Sequence, residues 1–202
     1  MTPGKRLFDV TLALVLGVLL APVLVILMAM MAWRQGLPLF HVSERMKTPT
    51  QGFALWKLRT MTVARHDSGV SGGDKAARIT PLGQFLRRTR LDEVPQLWNI
   101  LRGDISFVGP RPELRHYVEM FPELFAEVLI CRPGVTGLAS LQFHRHEERL
   151  LAACTTPAQT EATYIRRCIP RKARLDLIYR DRRTLWLDVT LILRTALGKR
   201  MT

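Results

Sequence analysis

Residues 87–93 of this 202-residue chain, RRTRLDE, carry the side chains best suited to chemistry. Asp92 stands where the N-cap of a helix is expected, so its simplest interpretation is a capping carboxylate. Neighbouring side chains at a helix start diverge by about 100°, which would let Asp92 and Glu93 do different work. One carboxylate could then act as a nucleophile while the other holds a cation.

Positive charge surrounds this pair of acids and predicts a phosphate site. The arginines before Asp92 lie at the predicted start of a helix, whose dipole adds to their field. Arg111 lies between Pro110 and Pro112, which limit the chain entropy lost when a ligand binds. The cationic candidates are Lys57, Arg59, Arg87, Arg88 and Arg111. Singly, each is more often a solvated surface charge, but with Mg²⁺ bridging a phosphate to a carboxylate they would form a phosphoryl-transfer centre.

The elements that would position these residues are predicted to be mostly helices. Thr80-Pro81 begins a helix, because threonine caps the first turn and proline is preorganised for it. A second helix is expected over 92–101, with Gly103 as its stop signal. Residues 113–129 are also predicted to be helical, with an interruption or restart at Pro122.

Short extended segments connect these helices. The predicted strands or extended pieces are 38–42, 52–58, 105–108 and 138–143. Residues 62–77 are polar and rich in Gly and Ser, which is typical of a mobile loop. No repeat or low-complexity tract is recognisable in the chain.

A run of 24 residues without charge, Val10–Trp33, predicts a membrane helix. A straight helix of that length reaches roughly 36 Å, enough to cross a hydrocarbon core of about 30 Å. The run is too long for the apolar core of a signal peptide. Pro22 lies in its middle and both flanks are basic, which favours a helix that enters, bends and returns to the same side over a straight span. The chain is therefore divided into a re-entrant anchor at 1–36 and a cytoplasmic domain at 37–202.

Composition and charge narrow the class of protein. Hydrophobic residues make up 48% and charged residues 23%, which excludes a disordered or collagen-like chain. The formal net charge is +13, and it is concentrated at the two ends, which suggests that the ends meet an anionic surface. The three cysteines are far apart and predict neither a disulfide framework nor a zinc site.

The arginine-rich tail after Pro170 is a different kind of segment. Leu, Ile, Tyr and Trp recur there at helical spacing. Basic amphipathic helices of this kind lie in a membrane interface, although a surface helix packed on the domain is an equal alternative.

Four stretches of the chain resemble the bacterial sugar transferase family, and more closely its minimal monotopic phosphoglycosyl transferases. They are LWKLRTM (55–61), RITPLGQFLRRTRLDEVPQLWNILRGDISFVGPRPE (78–113), RPGVTGLA (132–139) and LDLIYRDRRTLWLDVTLILRT (175–195). The resemblance begins at Lys5 and covers essentially the whole chain.

The resemblance implies a mainly α fold with a few short strands: a re-entrant membrane helix, a small α/β catalytic domain and C-terminal amphipathic interfacial helices. It implies transfer of a sugar phosphate from a UDP-sugar to polyprenyl (undecaprenyl) phosphate, with release of UMP, to begin membrane glycoconjugate assembly. Asp92 would be the nucleophile of a covalent intermediate, and Glu93 would bind Mg²⁺. The implied substrate-binding residues are Lys57, Arg59, Arg87, Arg88, Pro110, Arg111, Pro112 and Asp176.

The resemblance also implies a place and partners. The enzyme would be monotopic on the cytoplasmic face of the bacterial inner membrane, in contact with its lipid, and downstream glycosyltransferases are possible partners. Nucleic acid is not expected, because the chain has no reader motif and its aromatic residues do not alternate with the basic runs. The alternative is a non-catalytic membrane-anchored module that binds lipid or serves as a scaffold.

Three positions depart from the family pattern. Arg90 stands where a serine is common, two residues before the nucleophile. Ala21 replaces the serine of a Ser-Pro pair in the membrane helix. An Asn-Gly-Arg-like turn is absent from the stretch that leads to Arg145. These differences bear on sugar specificity more than on the class of reaction.

Overall fold

The computed structural model describes residues 1–63 and 73–198, in which helices predominate over two pairs of short strands. The helices are α1 Pro3–Gln35, α2 Pro81–Thr89, α3 Gln96–Arg102, α4 Arg115–Met120, α5 Pro122–Val128, α6 Leu138–Ala152, α7 Pro157–Thr163, α8 Ile169–Arg182 and α9 Leu185–Ala196. Short 3₁₀ turns lie at Gly73–Arg78 and Leu91–Glu93, and a π turn lies at Tyr164–Cys168. The strands are β1 Phe40–Met46, β2 Gly52–Leu58, β3 Ser106–Val108 and β4 Gly134–Thr136. A mainly helical fold is confirmed.

Several helix ends follow from local sequence signals. Thr80 caps α2 by accepting a hydrogen bond from the amide of Gly83 at 2.9 Å. Gly103 ends α3 with a φ of 79°, a conformation that glycine adopts without strain. Pro122 is the first residue of α5 and separates it from α4. These caps confirm the predicted helix positions in 80–129, apart from the segment that contains Asp92.

The helix predicted over 92–101 is in two pieces. Asp92 lies in the 3₁₀ turn that follows Arg90, and it caps no helix. Pro95 has no amide hydrogen to donate, so the regular helix starts only after it, at Gln96. The expectation that Asp92 is a helix N-cap is therefore wrong.

Two other predictions of local structure are corrected. Residues 138–143 begin the 15-residue helix α6, because Leu138, Ala139 and Phe143 bury one helical face. In the predicted loop 62–77, the last residues belong to the 3₁₀ turn at Gly73–Arg78. The middle of that loop, 64–72, lies outside the described residues.

The two strand pairs hold the turns that surround the candidate site. β1 and β2 are antiparallel, with Phe40 opposite Leu58. β3 and β4 are parallel, and the turn after β3 crosses the start of β4 at very close range. A side chain on Gly109 would lie 2.1 Å from the carbonyl oxygen of Arg132, so only glycine fits there. This crossing fixes the turn that carries Arg111.

Three apolar clusters form the interior. The first lies among α4, α5, α6 and α8 and includes Tyr117 and Phe143. The second joins α1, α3, β3 and α9 through Ala13, Ile100 and Leu191. The third packs the second half of α1 on β2 and α2. Both halves of α1 therefore take part in the core of the protein.

Helix α1 is long and apolar enough to cross a membrane, but both of its ends contact the rest of the chain. At the first end, Arg6 donates to the carbonyl oxygens of Ile100 and Leu101 at 2.6 and 2.7 Å. At the second end, Arg59 donates to the carbonyl oxygens of Gln35 and Gly36, each at 2.7 Å. The central part of the helix is largely exposed.

Candidate active site

Asp92 is a buried carboxylate with an uncommitted oxygen. Its side chain lies in the 3₁₀ turn between α2 and α3, and the residue is 8% exposed. Its Oδ1 atom is buried and has no hydrogen-bond partner among the described residues. A buried carboxylate oxygen without a donor is costly, and such groups are a feature of functional sites.

Glu93, the next residue, is held by three cations. The Nζ of Lys57 donates to its Oε1 at 3.2 Å. The guanidinium nitrogens of Arg90 and Arg111 lie 3.9 and 4.0 Å from the same oxygen. Lys57 comes from β2 and Arg111 from the turn after β3, so the fold brings two distant segments to a carboxylate that Arg90 already flanks along the chain.

The charges around the dyad set the pKa values of its two acids in opposite directions. Burial raises the pKa of Asp92 and the charge of Glu93 adds to this, against Lys57, Arg87 and Arg90. Burial also favours the neutral form of Glu93, but Lys57, Arg111 and Arg90 outweigh it and lower its pKa. Glu93 is therefore the firmly ionised acid, and Asp92 is the less paired one.

The upstream arginines differ in position. The Nε of Arg87 donates to the hydroxyl of Thr60 at 2.9 Å, and the charge of Arg87 acts on Asp92. Arg88 is exposed. Arg59 is buried and directs its guanidinium to the end of α1, where it holds the carbonyl oxygens of residues 35 and 36. Of the predicted basic residues, Lys57, Arg87 and Arg111 surround the dyad.

Pro110 and Pro112 hold Arg111 in a rigid turn. Both prolines are buried, and the carbonyl oxygen of Pro110 accepts the amide of Gly134 at 2.8 Å. The Arg111 side chain itself is 38% exposed. Burial opposes its charge, but Glu93, Glu147 and Glu113 together raise its pKa. Arg111 is therefore a fixed cation at the edge of the site.

Asp176 lies on α8 and belongs to a different group of charges. It is 5% exposed, and its Oδ1 is buried without a hydrogen-bond partner among the described residues. Burial raises its pKa to about 8, against the opposing charge of Lys172. The charges that act on Asp176 are those of Lys172 and Glu113, which places it behind Arg111.

Sequence reasoning found one feature of the site only in part and missed another. Arg90 is one of the arginines upstream of Asp92 that predict an anion site, but its left-handed conformation, with φ of 60°, and its ion pair with Glu93 are seen only in the structure. Lys172 and Tyr164 form hydrogen bonds to Glu113 beneath the Arg111 turn. No sequence signal marks Lys172, because it is one basic residue among many in α8.

The dyad fits the way proteins hold Mg²⁺. The described residues contain no group of three or more His, Cys, Asp or Glu side chains that could hold a metal. Mg²⁺ generally takes one or two carboxylates and completes its shell with water and substrate phosphates. Glu93 and the unpaired oxygen of Asp92 supply that kind of donor set.

Comparison with known proteins identifies the protein family to which this chain belongs. Residues 2–199 match the sequence model of the bacterial sugar transferases, and the chain belongs to that family. It is 32% identical over 196 residues to a UDP-glucose:undecaprenyl-phosphate glucose-1-phosphate transferase of Caulobacter vibrioides, which covers 95% of this chain and 67% of that protein.

Two further relatives match this chain over different shares of their own length. The chain is 37% identical over 137 residues to the uncharacterized sugar transferase EpsL of Bacillus subtilis, over 68% of this chain and 67% of that protein. It is 30% identical over 195 residues to a UDP-glucose:undecaprenyl-phosphate glucose-1-phosphate transferase of Klebsiella pneumoniae. That match covers 95% of this chain but 39% of the longer relative.

Proposed function

We propose that this protein transfers a sugar phosphate from a UDP-sugar to polyprenyl (undecaprenyl) phosphate through a covalent intermediate on Asp92, and releases UMP. The observation that carries the proposal is the unpaired, buried oxygen of Asp92 beside a carboxylate held by three cations. The family membership and the names of the relatives, which act on UDP-sugars and undecaprenyl phosphate, support the same class of reaction.

The transfer proceeds in two displacements at one phosphorus. In the first, a carboxylate oxygen of Asp92 forms a bond to the sugar-linked phosphorus. The bond from that phosphorus to the bridging oxygen breaks, and UMP leaves with the electron pair. In the second, a phosphate oxygen of the polyprenyl phosphate bonds to the same phosphorus. The bond to Asp92 then breaks, which restores the carboxylate and leaves a polyprenyl diphosphate sugar.

The surrounding side chains have distinct tasks in this scheme. Lys57 and Arg111 both lie beside Glu93 and face the phosphate oxygens of the donor. They stabilise the negative charge that increases on these oxygens during the reaction. The charge of Arg87 opposes the rise in the pKa of Asp92 that burial causes. Because these cations are fixed by the fold, little reorganisation is needed when charge develops.

Glu93 is the residue we assign to Mg²⁺, with Asp92 beside it. When bound, Mg²⁺ neutralises charge on the diphosphate of the donor. The three cations on Glu93 lie on one of its oxygens, Oε1, so a second oxygen remains for the metal. Mg²⁺ dependence is thus part of the proposal.

We infer a re-entrant, monotopic attachment to the cytoplasmic face of the inner membrane. Arg6 and Arg59 fix the two ends of α1 to the same domain, at α3 and at β2. A helix that crosses the bilayer has its two ends about 30 Å apart, on opposite sides of the membrane, so both ends could not contact one domain on one side. A bent helix keeps both ends beside the same domain. Most of the exposed large apolar residues of α1 lie between Leu14 and Ile26, on both sides of Pro22, as expected if that part enters the lipid.

Helix α9 supports an interfacial role for the C-terminal region. One of its faces packs on the core through Leu191 and Asp188. Its other face exposes Trp186 by 78%, together with Leu193 and Leu197. Exposed Trp and Leu on a helix in an arginine-rich region are typical of contact with a membrane interface.

The decisive experiment measures UMP release by the purified full chain in detergent. UDP-glucose, UDP-galactose and UDP-N-acetylgalactosamine are tested with and without undecaprenyl phosphate. One of these donors should give at most about one equivalent of UMP without acceptor, and intact-protein mass spectrometry should show the added sugar phosphate. A lipid-binding or scaffold module would release no UMP, and a direct transfer would require both substrates before any release.

The topology is tested with single cysteines at Thr2 and Ser43, on a background in which the native thiols are replaced. A membrane-impermeant reagent applied to intact cells should label neither position, and both should become reactive after lysis. Labelling of one position alone in intact cells would show a straight span. Pro22→Leu should increase such labelling, because an unkinked apolar helix of this length can cross.

A further inference from the structure

A second buried acid lies just behind Arg111. Glu113 accepts a hydrogen bond from the Nζ of Lys172 at 2.7 Å and from the hydroxyl of Tyr164 at 2.5 Å, both on Oε1. Lys172 and Tyr164 also contact each other at 2.6 Å. Glu113 and Lys172 are each 6% exposed, and Tyr164 is 2% exposed. These three residues, the Glu113 triad, join the turn after Arg111 to α8 and the π turn.

Lys172 balances the negative charge of two acids, Glu113 and Glu147. Its Nζ lies 3.4 Å from Oε1 of Glu147 on α6, in addition to its contact with Glu113. Glu113 has its pKa lowered against the effect of burial, chiefly by Lys172. Removing one member of a buried ion pair leaves an uncompensated charge, which recruits any cation within reach.

Arg111 and Arg45 are such cations, because the charge of Glu113 acts on both of them. Arg111 lies two residues before Glu113, and Glu147 also acts on its charge. Among the described residues its guanidinium makes no hydrogen bond, and its ion pair with Glu93 is 4.0 Å long. Within the described part of the chain, no hydrogen bond holds this guanidinium, so its donors can bind a phosphate beside the dyad. A loss of Lys172 would offer Arg111 the buried carboxylate of Glu113 and the half-buried carboxylate of Glu147 on the opposite side.

We propose that the Glu113 triad positions Arg111: by occupying Glu113 and Glu147, Lys172 keeps the guanidinium of Arg111 free to bind a phosphate of the donor. The inference rests on the proposed function, because it assumes a diphosphate donor at the dyad. Lys172, Glu113 and Tyr164 are positioning residues in this scheme, since they act through Arg111 and do not touch the reacting atoms.

The test is the binding of UDP to the full chain in detergent, measured by isothermal titration calorimetry. Arg111→Met and Lys172→Met should each weaken UDP binding about tenfold. Lys172→Met in the Arg111→Met background should weaken it less than about twofold further, because the guanidinium through which Lys172 acts is gone. A separate structural role for Lys172 would make the two losses multiply to about a hundredfold, and this result would overturn the proposal.

Removal of the competing acid provides the rescue. Glu113→Gln added to Lys172→Met should bring UDP binding back to within about threefold of the wild type, because Glu113, the more buried of the two acids that would recruit Arg111, is then neutral. Arg174→Met, an exposed cation on the same helix, serves as the matched control and should bind UDP as the wild type does. A double variant no better than Lys172→Met would contradict the competition for Arg111.

Tyr164→Phe keeps the test decisive if Lys172→Met does not fold. This variant removes one hydroxyl and leaves the charges of Glu113 and Lys172 in place, so the expected loss of UDP binding is two- to threefold. This loss should disappear in the Arg111→Met background. An equal loss in both backgrounds would overturn the proposal. UDP binding does not depend on turnover, so failure of every UDP-sugar to yield UMP would count against the proposed function and not against the positioning role.

Discussion

Asp92 and Asp176 are two buried aspartates in opposite surroundings. Their exposed fractions are 8% and 5%, and each has an unpartnered Oδ1 among the described residues. Three cations act on Asp92, whereas only Lys172 opposes the burial of Asp176, and Lys172 is already bound to Glu113. The two sites differ in the number of positive charges that act on the aspartate and not in burial.

This difference decides what each carboxyl group can do at neutral pH. Burial with little compensation raises the pKa of Asp176 to about 8, so its protonated form predominates at pH 7 and can donate a hydrogen bond. Asp92 remains the better candidate for a nucleophile, because nearby cations oppose the effect of burial on its pKa. The number of nearby cations, more than burial, distinguishes the candidate reacting group Asp92 from Asp176.

The largest expected effect separates the two aspartates directly. Asp92→Asn should lower UMP release at least a thousandfold, because an amide of the same shape cannot form the bond to phosphorus. Asp176→Asn should lower it less than about tenfold, since an amide also donates a hydrogen bond. Retention of more than a tenth of wild-type release by Asp92→Asn would contradict its assignment.

Glu93→Gln should have the next largest effect, about a hundredfold on the rate. It removes the acid on which Lys57, Arg90 and Arg111 converge and which we assign to Mg²⁺. Half-saturation by Mg²⁺ should rise in this variant, and an unchanged Mg²⁺ titration would place the metal on other groups. Glu148→Gln, an exposed acid on α6, is the control.

Arg87 and Arg88, the two arginines at the end of α2, should contribute unequally to UMP release. Arg87→Met should lower UMP release about ten- to thirtyfold, because the charge of Arg87 acts on Asp92 from a position fixed by Thr60. Arg88→Met should lower it less than about threefold, since Arg88 is exposed. Equal losses in the two variants would show that Arg88 contacts the substrate.

The last expected effect is on stability and concerns Asp176. The folded state holds this proton up to about pH 8, whereas the unfolded chain releases it near pH 4, so wild-type stability falls as pH rises between these values. The free energy of unfolding of Asp176→Asn should therefore rise relative to wild type across that window, by at most about 1.4 kcal/mol per pH unit. Asp181→Asn, an exposed control on the same helix, should show no such trend, and a flat difference for Asp176→Asn would refute the raised pKa.

Much of the fold could be predicted from local signals. The Thr80 cap, the Gly103 stop and the break at Pro122 are properties of a few adjacent residues, and all three are confirmed. The start of α6 was mispredicted, because the face that makes 138–143 helical is buried by α8 and other distant elements. A short apolar segment after a turn does not reveal from its own residues which neighbour covers it.

The sequence by itself determined the dyad, the apolar helix, the excess of positive charge and the family. Only the tertiary structure decided which cations serve the dyad: Lys57 reaches Glu93, 36 residues away, while Arg59, two residues from Lys57, turns to the end of α1. The physical reason is the separation along the chain over which each kind of contact acts. Caps and turns depend on contacts within about four residues, whereas the pairing and desolvation of a charge depend on whichever segments fold around it.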